Sequence, residues 1–143
     1  MAGESGGAIM TTRRGRTVAV FGAYGHTGRF VAAELRRRGI AAILSGRDRM
    51  KLNLLGQVHP DSDLRVASVE DPASLDRVLE DADTVVNCAG PFGETAPALI
   101  EAALRARYHH LDVTGEALVT IETFAPYATA NLTSNACRMQ VLF

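Results

Sequence analysis

Short apolar runs alternate with amphipathic helical patterns along most of this chain. Residues 17–21 are apolar and Val-rich with no in–out alternation, which predicts a strand buried on both faces. Residues 28–38 carry apolar positions at helical spacing, with Phe30, Val31 and Leu35 on the inner side and Arg36, Arg37 and Arg38 toward solvent. Gly39 then stands where a helix C-terminus favours glycine. Residues 40–45 predict a second strand, 49–58 a helix, His59-Pro60-Asp61 a loop and 64–68 a third strand. Asp71 followed by Pro72 reads as an N-cap with proline at the first helical position, opening a helix that runs to about residue 80. Residues 82–88 predict a fourth buried strand, ended by Ala89-Gly90-Pro91. An Ala-rich helix over 95–107, with Leu99, Ile100 and Leu104 inward, and a fifth strand over 110–113 follow. Past Glu116 the pattern weakens; a helix over 117–130 and a short strand over 139–143 are its expected elements.

Strands alternating with helices at this spacing build right-handed βαβ units and a parallel sheet covered on both sides. The join between the first strand and the first helix makes that expectation specific. It reads Gly22-Ala23-Tyr24-Gly25-His26-Thr27-Gly28, with glycines spaced Gly-x-x-Gly-x-x-Gly. In such a turn the first glycine lets the chain leave the strand sharply, and the second lets the backbone approach a pyrophosphate. The third lets the helix pack closely on the sheet. The free N–H groups and partial positive charge of the helix N-terminus favour the anion. The fold expected is therefore an α/β, Rossmann-type doubly wound parallel sheet with helices on both faces, occupying 16–143. Gly22, Ala23, Tyr24, Gly25, His26, Thr27 and Gly28 are its candidate cofactor-binding turn. No metal site is expected.

Composition narrows the setting. With 143 residues the chain is long enough for one domain with a real core. A formal net charge of −1 gives no electrostatic footprint for nucleic acid. No apolar run approaches the ~20 residues that a membrane-spanning helix needs. Residues 1–15 read as a disordered tail without the charged-then-apolar layout of a signal peptide. Arg13 and Arg14 at its end, and Arg16 just after it, read as solvated residues rather than phosphate ligands. Cys88 and Cys137 lack metal-type spacing, and free thiols in a reducing cytoplasm are the expected state. Asn131-Leu132-Thr133 fits a glycosylation triplet that has no meaning in that compartment.

The end of the second strand bears on which dinucleotide is bound. An acidic residue there would take the ribose hydroxyls of NAD. Here the strand ends in Ser45-Gly46-Arg47. A carboxylate repels a 2′-phosphate, whereas a guanidinium grips it with paired hydrogen bonds. Ser45 and Arg47 thus predict NADP(H) over NAD(H). Asp48 follows immediately, and if it faces the ribose in place of Arg47 the preference shrinks or reverses.

Beyond these features, four segments together resemble the cofactor domain of the saccharopine dehydrogenase-like family, including its trans-acting enoyl reductase branch. They are Gly22-Ala23-Tyr24-Gly25-His26-Thr27-Gly28-Arg29, Ser45-Gly46-Arg47, Asn87-Cys88-Ala89-Gly90-Pro91-Phe92 and His110-Leu111-Asp112-Val113-Thr114-Gly115-Glu116. The last two are the more specific, because a generic dinucleotide domain requires neither. The resemblance spans about residues 17–118. It implies an NADP(H)-dependent oxidoreductase domain in which Ala89-Gly90-Pro91 lie along the cofactor toward the nicotinamide, with Cys88 counted among the cofactor-binding residues. Family members are usually far longer and carry a second α/β domain that supplies the substrate pocket. Beyond Glu116 the sequence departs from the family pattern, so a C-terminally shortened domain is expected, with self-association through exposed C-terminal strands.

Independent catalysis is not expected of these residues. A short-chain dehydrogenase places a lysine four positions after its tyrosine acid. None of Tyr24, Tyr108 and Tyr127 is so followed, and Lys51 is the only lysine. His26 follows the second glycine, where its ring either contacts phosphate or shields the turn. His109 and His110 are adjacent on a strand and point to opposite faces, so a joint metal site with Asp112 and Glu116 is not expected. Glu116 reads equally as a ligand-side carboxylate or a helix cap. Cys88 reads as a small apolar filler lacking an identifiable base. The function expected is the NADP(H)-binding module of an oxidoreductase whose substrate residues lie elsewhere; a non-catalytic dinucleotide sensor and an inert fragment are the alternatives.

Overall fold

The computed structural model describes residues 16–114, 125–127 and 139–141. The expected tail over 1–15, Glu116 and Cys137 lie outside the described residues, as does the expected helix over 117–130 except for a single 3₁₀ turn at Ala125–Tyr127. The elements are β1 (Thr17–Phe21), α1 (His26–Arg37), β2 (Ala41–Gly46), α2 (Arg49–Val58) and β3 (Asp63–Val66). They continue with α3 (Pro72–Leu79), β4 (Thr84–Asn87), α4 (Phe92–Ala106), β5 (His109–Asp112) and β6 (Met139–Val141). All strand pairs are parallel, in the order β3-β2-β1-β4-β5-β6. β1 is central, pairing Val20 with Leu44 of β2 on one side and with Val86 of β4 on the other.

Alternate side chains of the same strands feed two cores, as a sheet covered on both faces requires. Ala19, Phe21, Ile43 and Val85 pack with Leu75, Val78 and Leu79 of α3 and Leu99, Ala102 and Ala103 of α4. Val20, Leu44 and Val86 pack instead with Ala32 of α1 and Leu52 and Leu55 of α2. Each fully buried Leu or Val contributes roughly 1.5–3 kcal/mol against leaving it in water. The doubly wound Rossmann-type architecture is thus present, with α1 and α2 on one face and α3 and α4 on the other.

Local signals set the element ends. Asp71 accepts from the Ser74 N–H at 3.4 Å and Pro72 opens α3, as the sequence predicts. After α1, Gly39 adopts φ +66° and donates to the Arg36 carbonyl, closing the helix. Arg37 and Arg38 face solvent as expected, but both bond Glu34, at 2.7–2.8 Å and 2.6 Å. Those hydrogen bonds, first from Arg37 and then from Arg38, hold the Glu34 carboxyl down to about 2.

Two expectations are corrected. Phe30 is 68% exposed rather than inward. The fully buried residues of α1 are Gly28 and Ala32, and Val31 and Leu35 pack partly buried against the same core, as expected. Position 30, two residues from each, therefore falls on the opposite side of a helix that turns 100° per residue. Its ring instead lies edge-on to His26, one helical turn back, with centroids 5.4 Å apart. Second, α4 begins at Phe92, three residues before the expected start, because the Pro91 carbonyl already accepts from Glu94 and Thr95 at 3.1 and 3.2 Å.

Candidate functional site

The glycine turn occupies the carboxyl end of β1, where the strand order reverses, β2 lying on one side and β4 on the other. Such a topological switch point leaves a crevice outside the strand ends. Gly22 sits at φ +76°, a left-handed conformation that a side chain resists. A Cβ there would lie 2.8 Å from the Ala89 Cβ and 2.9 Å from its backbone. Gly25 is the N-cap of α1 and, having no side chain, makes no side-chain hydrogen bond to the first turn, and it lines the cleft described below. The first-turn N–H groups are the ones a helix leaves without an intrahelical partner. Gly28 packs so closely that a Cβ would stand 2.1 Å from the Gly22 carbonyl oxygen. Among the described residues the turn is a glycine-lined cradle with no room for added side chains at Gly22 and Gly28, which fits a pyrophosphate.

On the β2 side, the Ser45 carbonyl accepts from the Gly22 and Ala23 N–H groups, both at 2.9 Å, and so ties the turn to the next strand. Ser45 is fully buried, and its hydroxyl has no partner among the described residues. Asp48 is committed elsewhere: its carboxylate accepts from the Lys51 N–H at 3.1 Å as the N-cap of α2. Its own N–H donates to the Tyr24 hydroxyl at 2.9 Å. Tyr24 reaches that position because Gly46 has no side chain; a Cβ on Gly46 would be 2.3 Å from the ring. Lys51 Nζ stands 5.9 Å from the centre of that ring. Arg47 is exposed and borders the cleft.

On the β4 side, Ala89, Gly90 and Pro91 lead into α4, and the Gly90–Pro91 peptide is cis. Cys88 is buried and free, and its thiol is pushed up to about 12, first by burial and then by the nearby charge of Asp112. At neutral pH it keeps its proton, and a protonated thiol is a poor nucleophile. His110 is buried and points to the Asp112 side, with Nε2 at 3.4 Å from Asp112 Oδ2, whereas His109 is only half-buried. Among the described residues no group of three or more His, Cys, Asp or Glu could hold a metal ion.

These segments meet in one cleft of about 370 Å³. Gly22, Tyr24, Gly25, Arg47, Cys88, Ala89, Gly90 and Pro91 line it, so eight of the residues singled out from sequence are brought together. Ala23 is instead buried in the core, Gly28 packs under the turn, and Ser45 acts through its carbonyl. His26 and Thr27 are exposed at the start of α1. The cleft also includes Ser68, Val69 and Glu70 after β3, and Glu94 and Thr95 of α4. Sequence reading passes over them; the rule that ligands gather at strand carboxyl ends points to the three after β3.

Comparison with known proteins agrees with this geometry. Residues 18–141 match the family model described as the saccharopine dehydrogenase NADP binding domain. The chain is 31% identical over 126 residues to the saccharopine dehydrogenase-like oxidoreductase of Mus musculus, aligning 76% of this chain with 29% of that one. It is 27% identical over 114 residues to the trans-acting enoyl reductase of Mycobacterium ulcerans (strain Agy99), covering 76% of this chain and 27% of that protein. The chain therefore spans under a third of the length of these relatives. Among solved structures, saccharopine dehydrogenase (L-Glu forming) from Saccharomyces cerevisiae shares the fold with a TM-score of 0.71 at 20% identity, over 89% of this chain and 27% of that one.

Proposed function

This chain belongs to the family of saccharopine dehydrogenase NADP binding domains, and we propose that its cleft holds NADP(H) with the adenosine end at Arg47 and the nicotinamide end at Ala89-Gly90-Pro91. Strand order supports a division of the two halves between those sides, and Arg47 on the β2 side supports the direction. The glycine turn follows the central strand β1, with the β2 end and Arg47 on one side and the β4 end on the other. A dinucleotide whose pyrophosphate rests on the N-terminus of α1 must send its two halves to those two sides.

The observation that carries the reading is the disposition of Arg47 and Asp48. Arg47 is free to meet a 2′-phosphate, while the neighbouring carboxylate is turned into the cap of α2. Gly22, Ala23, Tyr24, Gly25, His26, Thr27 and Gly28 form the phosphate turn, Ser45 braces it, and Cys88 backs the nicotinamide wall. When bound, NADPH supplies a hydride donor; the residues here bind and orient it. The substrate pocket is read as belonging to a separate domain, in keeping with the chain's small share of its relatives' length.

Titration of the chain with NADPH and NADH tests this. Hydrogen bonds to a charged group contribute roughly 1.5–3 kcal/mol. NADPH should therefore bind at least about tenfold more tightly than NADH, and Arg47→Asp should remove that margin. A folded chain that binds neither nucleotide would sink the reading.

The compartment and partners are read from the same features. A free thiol at Cys88 supports a reducing, cytoplasmic setting, and a net charge of −1 supports one without nucleic acid. No helix among the described residues is long and apolar enough to cross a membrane. The outer edge of β6, the last strand of the sheet, is the face through which we read self-association. Light scattering should then give twice the 15.3 kDa chain mass; the mass of one chain at all concentrations rules this out.

A further inference from the structure

Two motifs far apart in sequence, Asn87-Cys88-Ala89 and Asp112-Val113-Thr114, meet beneath the cleft. Asp112 is wholly buried at the end of β5. Its Oδ1 accepts from the Thr114 N–H at 2.9 Å, and its Oδ2 accepts from Asn87 Nδ2 at 3.1 Å. Asn87, equally buried, uses its other amide proton on Thr95 Oγ1 at 3.0 Å, and its Oδ1 accepts from the Ala89 N–H at 3.1 Å. Thr95 Oγ1 then donates to the Ala89 carbonyl at 2.6 Å. The directions are fixed by the partners: a carboxylate and a carbonyl only accept, and a backbone N–H only donates. Both hydrogen-bonding groups of Ala89 are thus held, through Asn87 and Thr95, by one carboxylate on the next strand.

Ala89 is also the residue against which Gly22 packs with no room for a Cβ. Its position sets the gap between the turn after β1 and the turn after β4. We infer that Asp112, Asn87 and Thr95 are positioning residues that hold Ala89 at this gap, so that the nicotinamide half of NADP(H) is admitted while the adenosine half is bound independently of them. The inference rests on the orientation of the cofactor proposed above. None of the three acts on the reacting atoms.

The test is titration of the full chain with NADPH and with adenosine 2′,5′-bisphosphate, which carries only the adenosine half. Thr95→Val removes the hydroxyl and leaves the Ala89 carbonyl without its donor. It should weaken NADPH about tenfold while the bisphosphate stays within about twofold. Thr95→Ser keeps the hydroxyl and should return NADPH to within about twofold of the parent. Asp112→Asn should show the same split as Thr95→Val. Because the readout is the ratio of two affinities, loss of folded protein moves both ligands together. Equal weakening of both by a variant whose circular dichroism and denaturation midpoint show it folded, or an unchanged NADPH affinity in Thr95→Val, overturns the inference. Failure of the parent chain to bind either ligand overturns instead the reading of the cleft on which it stands.

Discussion

Gly28→Ala is expected to abolish measurable NADPH binding and to lower the stability of the fold by at least roughly 1–3 kcal/mol, the usual cost of overpacking a tight site. The added carbon would stand 2.1 Å from the Gly22 carbonyl oxygen, 2.8 Å from the Ala23 Cα and 2.9 Å from its carbonyl carbon. All three are backbone atoms, so no rotamer change relieves the contact. Relief requires α1 to retreat from the turn, and that carries the N–H groups at its front away from the pyrophosphate. Gly39 is the natural control. It sits at φ +66°, but a Cβ added there would meet nothing within 4 Å, so Gly39→Ala faces backbone strain alone. That strain costs about 1–2 kcal/mol and leaves the cleft untouched. Urea denaturation and NADPH titration of the two variants separate the cases. Parent-like binding by a folded Gly28→Ala chain would show that the cradle is not where the phosphates lie.

Asn87→Asp should be the most damaging isosteric change in the site, costing roughly 3–5 kcal/mol near pH 8. Asn87 Nδ2 donates to both Asp112 and Thr95, and the substitution replaces that donor with an acceptor 3.1 Å from a buried carboxylate oxygen. Two carboxylates at that distance cannot both stay ionised without a large penalty. Protonating the introduced carboxyl restores a donor between them, so the folded variant binds a proton that the unfolded chain has released. Stability should therefore be recovered as pH falls from 8 toward 5 and lost as pH rises. Denaturation midpoints at the two pH values check this. A variant as stable as the parent at both would mean that the buried network contributes little.

Much of this arrangement is legible in the residues, and the parts that are not share a physical cause. Element order and the glycine turn follow from hydrophobic period and backbone permissiveness, both local properties. The cap at Asp71 is readable for the same reason, and so is the position of Arg47 at a strand end. Phe30 reads as inward because it is apolar, but the face of α1 is set by where Gly28 and Ala32 allow the backbone to approach. The role of Asp48 stays open in sequence because a carboxylate at a strand end and one at a helix N-cap have the same neighbours; the bond to Lys51 decides between them. The Asn87–Thr95–Asp112 network is invisible there because Asn87 and Asp112 come from adjacent strands 25 residues apart, which only sheet register brings face to face. Val69 and Glu70 enter the cleft through the same long-range placement.

The fit of Tyr24 over Gly46 has a bearing on redesign. Position 46 is the last residue of β2 and the obvious place to install an acidic side chain that would favour NAD. Here that space is taken by an aromatic ring reaching over from the preceding turn, whose hydroxyl is tied to the backbone of Asp48. Any larger residue at 46 must first evict the ring and slacken its hold on the start of α2. The two turns thus form an interlocked pair, and under the proposed reading of the cleft a switch of coenzyme is to be sought at the rim, in Arg47, rather than in the wall behind it.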